Sequence, residues 1–274
     1  AYVAGPLSAW VTAATFLTAI SLQIGTNLAN DYFDWKKGAD GPDRLGPKRA
    51  TQSGWLSPEQ VAAATVSGFA LAALFGTCLE TRGGWPFSVL GVASIVAGVV
   101  YTGGPKPLGY HGLGDIAVFI FFGPVAVIGT YYLQRQQISW EGASASVAQG
   151  ALITAILVGN NIRDRKSDAR AGKRTLAGRL GVAKSRLQEP GLLLIAQLIP
   201  IAIFFAQGMT KPGWLLSLAS LPLSIIDQRA LWSLDGAALN PLLGRTARSS
   251  LVFALAIAIG VVLFWNFFVN RFWT

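Results

Sequence analysis

The chain has 274 residues, of which 52% are hydrophobic and only 13% are charged. Soluble domains carry about 25% charged residues, so this composition excludes an ordinary soluble domain and predicts a membrane protein. The net charge of +9 would suit a nucleic-acid-binding protein, but the position of the cations argues against that class.

Long uncharged runs divide the chain, and each is about the length that an α-helix needs to cross a bilayer. Such spans are helical in lipid because their backbone groups have no water to bind. We predict eight complete helices, and residues 1–5 resemble the end of a further, truncated first helix. The runs cover residues 1–30, 60–79, 116–134, 142–162, 190–210, 212–226 and 249–270, with a shorter one at 83–104.

The cations collect on one side of the predicted bundle. If the chain crosses the bilayer alternately, 18 of its 22 Lys and Arg residues fall on the same side. The positive-inside rule makes that side cytoplasmic. Topology therefore explains the basic charge, and we expect no nucleic-acid partner. The segments on this side are residues 31–59, 102–115, 163–189 and 227–248.

A first cluster of polar side chains follows the first uncharged run. In a helix, Asn30 and Asp34 lie on one face, and a break at Gly38 lets Asp40 fold back toward them. Such oxygen ligands suit Mg²⁺, which takes the rest of its shell from water and substrate phosphates. Taken alone, the cluster is equally well a solvated helix end.

Two carboxamides precede this cluster inside the apolar helix. Gln23 and Asn27 are four residues apart and share a face. Intramembrane polar groups face a cavity or form hydrogen bonds between helices, and the sequence leaves both interpretations open.

A glycine-rich loop is predicted at residues 101–115, which contain five glycines and two prolines. Its backbone N–H groups could wrap an anion. Lys106 is its only Lys or Arg and provides a compact charge suited to phosphate. The alternative is a plain turn in which Lys106 reaches for water.

A second polar cluster ends the run at residues 142–162. Asn160, Asp164 and Asp168 fall at i, i+4 and i+8, so they share one face if the helix continues. A strongly basic stretch follows. The two clusters are about 130 residues apart, which predicts a single domain, residues 1–274, built from pseudo-repeat halves at roughly 1–135 and 136–274. The repeat would bring the clusters together across one cavity.

Two acidic clusters flanked by cations predict a site for a Mg²⁺-bound diphosphate. A polyprenyl diphosphate fits this arrangement because its tail partitions into lipid while its head reaches the cytoplasmic rim. Loss of diphosphate leaves a positive allylic carbon, which the faces of aromatic residues stabilise and which a dry cavity protects from water. An electron-rich aromatic acceptor would then be alkylated.

These motifs carry a family resemblance. Asn30-x3-Asp34-x5-Asp40 with Asn160-x3-Asp164-x3-Asp168 resembles the UbiA superfamily of intramembrane aromatic prenyltransferases. The six-residue gap from Asp34 to Asp40 is similar to the branch that prenylates 1,4-dihydroxy-2-naphthoate in menaquinone synthesis. The further matches to that branch are Asn27-Leu-Ala-Asn-Asp-Tyr, Lys37-Gly-Ala-Asp, Tyr101-Thr-Gly-Gly-Pro, Phe122-Gly-Pro-Val-Ala-Val-Ile-Gly-Thr-Tyr-Tyr, Asn160-Asn-Ile-Arg-Asp and Gly172-Lys-Arg-Thr-Leu.

The resemblance implies an all-α membrane protein of about nine transmembrane helices around a cavity that opens to the cytoplasmic side. It also implies transfer of a polyprenyl chain to the naphthoate with loss of diphosphate and CO₂, in the inner membrane of a bacterium. The implied metal ligands are Asn30, Asp34, Asp40, Asn160, Asp164 and Asp168. We assign Lys106 and Arg163 to the diphosphate, Tyr101 with Asp34 and Asp164 to the reacting centre, and Gln23 and Asn27 to the aromatic substrate.

Two alternatives remain at this point. One is a prenyltransferase for another acceptor, namely hydroxybenzoate, homogentisate or a tetrapyrrole. The other is an ion-coupled membrane transporter, since intramembrane acids and broken helices also mark ion paths. A transporter site would lie near the bilayer midplane, whereas these acids cluster at the predicted cytoplasmic ends.

Overall fold

The computed structural model describes residues 5–41 and 44–272, with side chains as far as Phe264. These residues form eight long helical segments and no strand. The helices are α1 (Ala9–Lys36), α2 (Pro58–Gly83), α3 (Trp85–Val100), α4 (Gly114–Arg135), α5 (Trp140–Arg170), α6 (Leu176–Ala206), α7 (Leu221–Ser233) and α8 (Asn240–Phe272). Short 3₁₀ segments cover Gly109–His111, Pro212–Ser220 and Gly236–Leu239.

The all-α membrane architecture is confirmed. Six helical segments in the described part of the chain are long and apolar enough to cross a membrane, and α3 is a shorter apolar helix. The seventh predicted span differs in detail, because its first nine residues are 3₁₀ and only α7 is α-helical. The predicted remnant of an earlier helix covers residues 1–5, of which residues 1–4 lie outside the described residues.

Local sequence fixes where the motif-bearing helices begin and end. After α1, Gly38 adopts a left-handed φ of +67°, which breaks the helix as predicted. The Ser57 side chain caps α2 in a reciprocal capping box with Gln60. The α5 helix runs without a break to Arg170, so Asn160, Asp164 and Asp168 do share one face.

Two helices depart from regular α geometry. Around Pro124, α4 passes through a π-helical stretch, Phe121–Ile128. At Gly181, α6 has a non-helical φ of +77°. This helix begins at Leu176, capped by the Thr175 side chain, so it starts well before the uncharged run that predicted it.

Small residues allow the helices to approach closely. A Cβ built on Gly68 of α2 would lie 3.0 Å from the Cα of Gly25 on α1, so the two backbones touch. A hydrophobic core lies where Ala151 and Ala155 of α5 pack against α6 and against Phe253 of α8. The two motif-bearing helices therefore each pack closely against neighbours of their own, α1 against α2 and α5 against α6 and α8.

Hydrogen bonds between distant segments show that both motifs lie at the same end of the bundle. The end of α1 contacts the loop after α3 through Lys37 and the Thr102 carbonyl oxygen. The end of α5 contacts the start of α4 through Asn161 and Asp115, and the start of α8 through Arg163 and Asn240.

Candidate functional site

The two predicted acidic clusters meet at Lys173. The ammonium group of Lys173 lies 3.0 Å from Asp34 Oδ2 and 3.9 Å from Asp168 Oδ1. Asp34 belongs to α1 and Asp168 to α5, so one cation joins a carboxylate of each motif. Both carboxylates are largely removed from solvent, which strengthens their attraction for the cation.

Tyr110 is the second group at this junction. Its hydroxyl donates to Asp34 Oδ1 at 2.9 Å, and its ring lies under the ammonium groups of Lys37 (4.5 Å) and Lys173 (4.9 Å). Burial, with Asp34 beside it, raises the pKa of Tyr110, so the phenol stays neutral and keeps its proton for Asp34. Burial lowers the pKa of Lys37, partly offset by Asp34.

Asp40 folds back toward the same end of α1 and pairs with cations of its own loop. Arg44 donates to Asp40 Oδ1, and Arg49 Nε lies 3.7 Å from Oδ2. Burial raises the pKa of Asp40, opposed by Arg44. Asp40 Oδ2 is buried and accepts no hydrogen bond in the described structure.

Asp164 is held by its neighbour in sequence. Arg163 donates to both of its carboxylate oxygens, from Nε at 2.8 Å and Nη2 at 2.6 Å. The remaining guanidinium nitrogen donates to Asn240 Oδ1 at 2.9 Å. Arg163 is therefore buried, and each of its three nitrogens donates one hydrogen bond, while Nη1 and Nη2 each keep one further N–H for the predicted contact with the diphosphate.

The two motif asparagines differ in their partners. Asn30 Oδ1 accepts from the Thr102 hydroxyl at 2.9 Å, which joins the first motif to the glycine-rich loop. Asn160 donates to the Ile156 carbonyl oxygen of its own helix at 3.2 Å.

An apolar cavity of about 280 Å³ lies between α1, α3 and α4. Gln23 and Thr26 of α1 line it, and Tyr101 lies against it at the end of α3. Asn30 is one helical turn beyond Thr26 and bonds to Thr102, which directly follows Tyr101. The cavity therefore ends beside the first motif. Aromatic walls come from Phe87, Phe121 and Phe122.

The other predicted site residues differ in their surroundings. Gln23 and Asn27 are both exposed, but only Gln23 is among the residues that line the described cavity, and Asn27 donates to the Gln23 carbonyl oxygen. Burial raises the pKa of Tyr101, which keeps that phenol neutral. Lys106 is exposed in the glycine-rich loop.

Sequence reasoning did not single out several residues that build the site. Lys173 and Tyr110 are the most central, and both lie in stretches already noted for their basic charge or glycine content.

Asp31 accepts from the backbone N–H groups of Ala50 and Thr51, so it anchors the following loop. Asp115 accepts from Asn161 and Gln188 and ties together α4, α5 and α6. Only their tertiary partners reveal these roles.

The donor set is compatible with Mg²⁺. Carboxylate and carboxamide oxygens are the ligands that Mg²⁺ takes, and Asp40 Oδ2 is a buried oxygen without a hydrogen bond. In the described residues the carboxylates bind Lys and Arg side chains, and no three acidic, His or Cys groups converge on one point. A metal held by Asp34, Asp40, Asp164 and Asp168 would therefore take the place of cations now bound there.

Comparisons with known proteins agree on one family. The sequence model of the UbiA prenyltransferase family matches residues 1–243. The chain is 40% identical over 250 residues to a Mycobacterium tuberculosis protein named 1,4-dihydroxy-2-naphthoate octaprenyltransferase, covering 91% of this chain and 84% of that protein. An Escherichia coli protein of the same name is 37% identical over 281 residues, covering 96% and 90%.

Solved structures show the same fold. A UbiA homolog from Aeropyrum pernix superposes with a TM-score of 0.72 at 15% identity, covering 93% of this chain and 90% of that one. A UbiA homolog from Archaeoglobus fulgidus bound to DMAPP and Mg²⁺ gives a TM-score of 0.66 at 14% identity, covering 94% and 88%.

Proposed function

Because the chain belongs to the UbiA prenyltransferase family, we propose that it prenylates 1,4-dihydroxy-2-naphthoate in menaquinone biosynthesis. The donor is a polyprenyl diphosphate, and the products are the prenylated ring, diphosphate and CO₂. The observation that carries this proposal is the junction of Asp34 and Asp168 at Lys173, beside one end of an apolar cavity. The names of the relatives favour the naphthoate over other aromatic acceptors.

The chemical step needs no proton from the protein. The allylic C–O bond breaks and its electron pair leaves with the diphosphate. The ring carbon that bears the carboxyl group forms the new C–C bond, and the carboxyl group leaves as CO₂, which restores aromaticity. When bound, Mg²⁺ would neutralise charge on the diphosphate oxygens, and Asn30, Asp34, Asp40, Asn160, Asp164 and Asp168 would hold it.

The chain's own residues bind the diphosphate, stabilise the allylic cation and hold the prenyl chain and the acceptor. Lys173 and Lys37 lie next to the motif carboxylates and supply positive charge to the diphosphate, with Lys106 and Arg163 as further candidates. Tyr101 lines the cavity at the end of α3, where its ring would stabilise the allylic cation. The prenyl chain would occupy the cavity, and Gln23 and Asn27 remain our candidates for the acceptor.

Topology supports a site that faces the cytoplasm. The end of the bundle that bears both motifs also bears the segments with most of the Lys and Arg residues. The positive-inside rule makes this end cytoplasmic. The proposal further includes one domain built from two pseudo-repeat halves, at roughly residues 1–135 and 136–274.

The test is product identification. Purified protein in detergent or nanodiscs is incubated with geranylgeranyl diphosphate, Mg²⁺ and 1,4-dihydroxy-2-naphthoate, and the products are identified by mass spectrometry. We expect the decarboxylated, prenylated naphthalene diol, and no product when Mg²⁺ is removed by chelation. Parallel reactions receive 4-hydroxybenzoate or homogentisate. Turnover of either of these acceptors in preference to the naphthoate would refute the assignment.

A further inference from the structure

The loop that follows the first motif crosses the site from one half of the bundle to the other. Residues 44–52, which we call the strap, begin near Asp40 and are anchored on α1. Arg49 donates to the Asn27 carbonyl oxygen at 3.3 Å, and the N–H of Ala50 donates to Asp31 Oδ2 at 2.8 Å. This end of the strap is therefore fixed to the helix that carries the first motif.

The other end of the strap lies on the second motif. A Cβ built on Gly46 would lie only 2.8 Å from Arg163 Nη2, so the strap backbone rests directly on this guanidinium group. The Leu45 carbonyl oxygen accepts from Asn240 Nδ2 at 2.7 Å. The strap thus spans α1, α5 and the start of α8 at the end of the bundle where the two motifs meet.

Asn240 is the residue that joins strap and motif. Both polar atoms of its carboxamide form hydrogen bonds. Nδ2 donates to the Leu45 carbonyl oxygen, and Oδ1 accepts from Arg163 Nη1 at 2.9 Å. Arg163 in turn holds both oxygens of Asp164. An exposed side chain at the start of α8 therefore connects the strap through two hydrogen bonds to Arg163, which in turn holds a predicted metal ligand.

From this geometry we infer that Asn240 is a positioning residue that clamps the strap over the two motifs and keeps water from the allylic cation. This role rests on the proposed function, because only a reaction with a water-sensitive intermediate needs the shield. The side reaction it suppresses is hydrolysis. The allylic C–O bond breaks, water bonds to the allylic carbon and loses a proton to solvent, and prenyl alcohol and diphosphate are released.

The test measures how the allylic cation partitions between acceptor and water. Wild type, Asn240→Ala and Asn240→Asp are each incubated with geranylgeranyl diphosphate and Mg²⁺, with and without 1,4-dihydroxy-2-naphthoate. Prenyl alcohol and prenylated product are quantified by mass spectrometry. Once the alcohol formed without enzyme is subtracted, the ratio of the two does not depend on how much enzyme is folded, so a loss of stability alone does not change it.

We expect Asn240→Ala to raise the alcohol-to-product ratio about tenfold, the change that loss of one or two net hydrogen bonds produces. Asn240→Asp keeps the acceptor for Arg163 and a good N-terminal residue for α8 but cannot donate to Leu45. It should raise the ratio as well. The control is Asp235→Asn, which removes an ion pair with Arg165 at the same edge of the bundle and alters neither hydrogen-bonding partner of Asn240. This variant should keep the wild-type ratio.

Two outcomes overturn the inference. One is an unchanged ratio in both folded Asn240 variants, or in Asn240→Asp alone if the alanine variant does not fold. The other is an equal rise in Asp235→Asn, which would make the effect a general one of this edge. If wild type makes no prenylated naphthalene diol, the proposed function fails. The reactions without acceptor still test the strap, because a weaker clamp must then speed alcohol formation.

Discussion

At the scale of single residues, the site is a set of carboxylates neutralised by basic side chains. Asp34 and Asp168 share Lys173, Asp40 pairs with Arg44, and Asp164 pairs with Arg163. Removing one partner of a buried pair costs more than the pair itself contributes, because a charge is left without compensation. Substitutions here should therefore affect both binding and local structure, and each needs a control for folding.

The aspartates of the two motifs should be indispensable. We expect Asp34→Ala and Asp164→Ala each to lower kcat by about 10²–10³-fold or more, because each removes a carboxylate that would hold the Mg²⁺ needed to neutralise the leaving diphosphate. Prenyl transfer is measured by product mass, and retention of the helices by circular dichroism. Activity near the wild-type value in either variant would contradict the metal-ligand assignment.

Lys173 should matter nearly as much. We expect Lys173→Met to lower kcat/KM for the prenyl diphosphate by about tenfold or more, the effect of losing one charge-assisted hydrogen bond. Lys184→Met is the matched control, since Lys184 is an exposed lysine on α6. Equal kinetics in the two variants would show that Lys173 only balances the charge of the aspartates.

The sequence predicted the acidic residues of the site better than their partners. Asn30, Asp34, Asn160, Asp164 and Asp168 could be found because helical spacing puts them on one face, and that spacing is visible in the chain. The pairing of Lys173 with Asp34 joins residues 139 positions apart, so no local pattern reveals it. The six proposed metal ligands remain a prediction.

At the scale of helices, contacts between glycines set the spacing of the bundle. The Gly68–Gly25 contact brings α2 against the helix that carries the first motif. The positions of the helices could be predicted from the uncharged runs, because a helix that crosses the hydrocarbon core of a bilayer needs about 20 apolar residues. The 3₁₀ start before α7 and the π-helical stretch of α4 did not, because packing against neighbouring helices rather than composition decides such local geometry.

We expect Gly68→Ala to destabilise the protein by about 1–3 kcal/mol, because the added methyl group meets backbone atoms that cannot move aside. Thermal unfolding in detergent measures this. Gly191→Ala is the control: its Cβ meets no other atom within 4 Å, and alanine favours helices. A Gly68→Ala midpoint at or above that of Gly191→Ala would show that the two helices can separate at no cost.

The cavity between helices α1, α3 and α4 should hold the prenyl chain. Gly91 lines the cavity, and a Cβ there meets nothing within 4 Å, so Gly91→Phe fills the space without a backbone clash. We expect KM for geranylgeranyl diphosphate to rise about tenfold or more, since a blocked cavity prevents the burial of about two or more methylene groups. The exposed Gly191→Phe serves as control. An unchanged KM in Gly91→Phe would place the chain elsewhere.

At the scale of the whole molecule, the places where the fold puts the cations favour one orientation in the membrane. The helices alternate in direction, so both motifs, the strap and most cations share one end, while the turn between α6 and the following 3₁₀ segment lies at the other. Reversing the molecule would move the cation-rich loops across the membrane, which the positive-inside rule disfavours. In the orientation that the rule favours, the head group of the substrate would meet the site from the cytoplasm.

Labelling of single cysteines tests this orientation. In a Cys78→Ser background, Thr210→Cys puts a thiol on the turn after α6, and Lys48→Cys puts one on the strap; both native side chains are exposed. We expect a membrane-impermeant maleimide to label position 210 in intact cells and position 48 only after permeabilisation. The reverse pattern would put Asp34 and Asp164 on the outer face. Since both motifs lie at the strap's end of the bundle, that one result would also remove the cytoplasm as the source of both substrates.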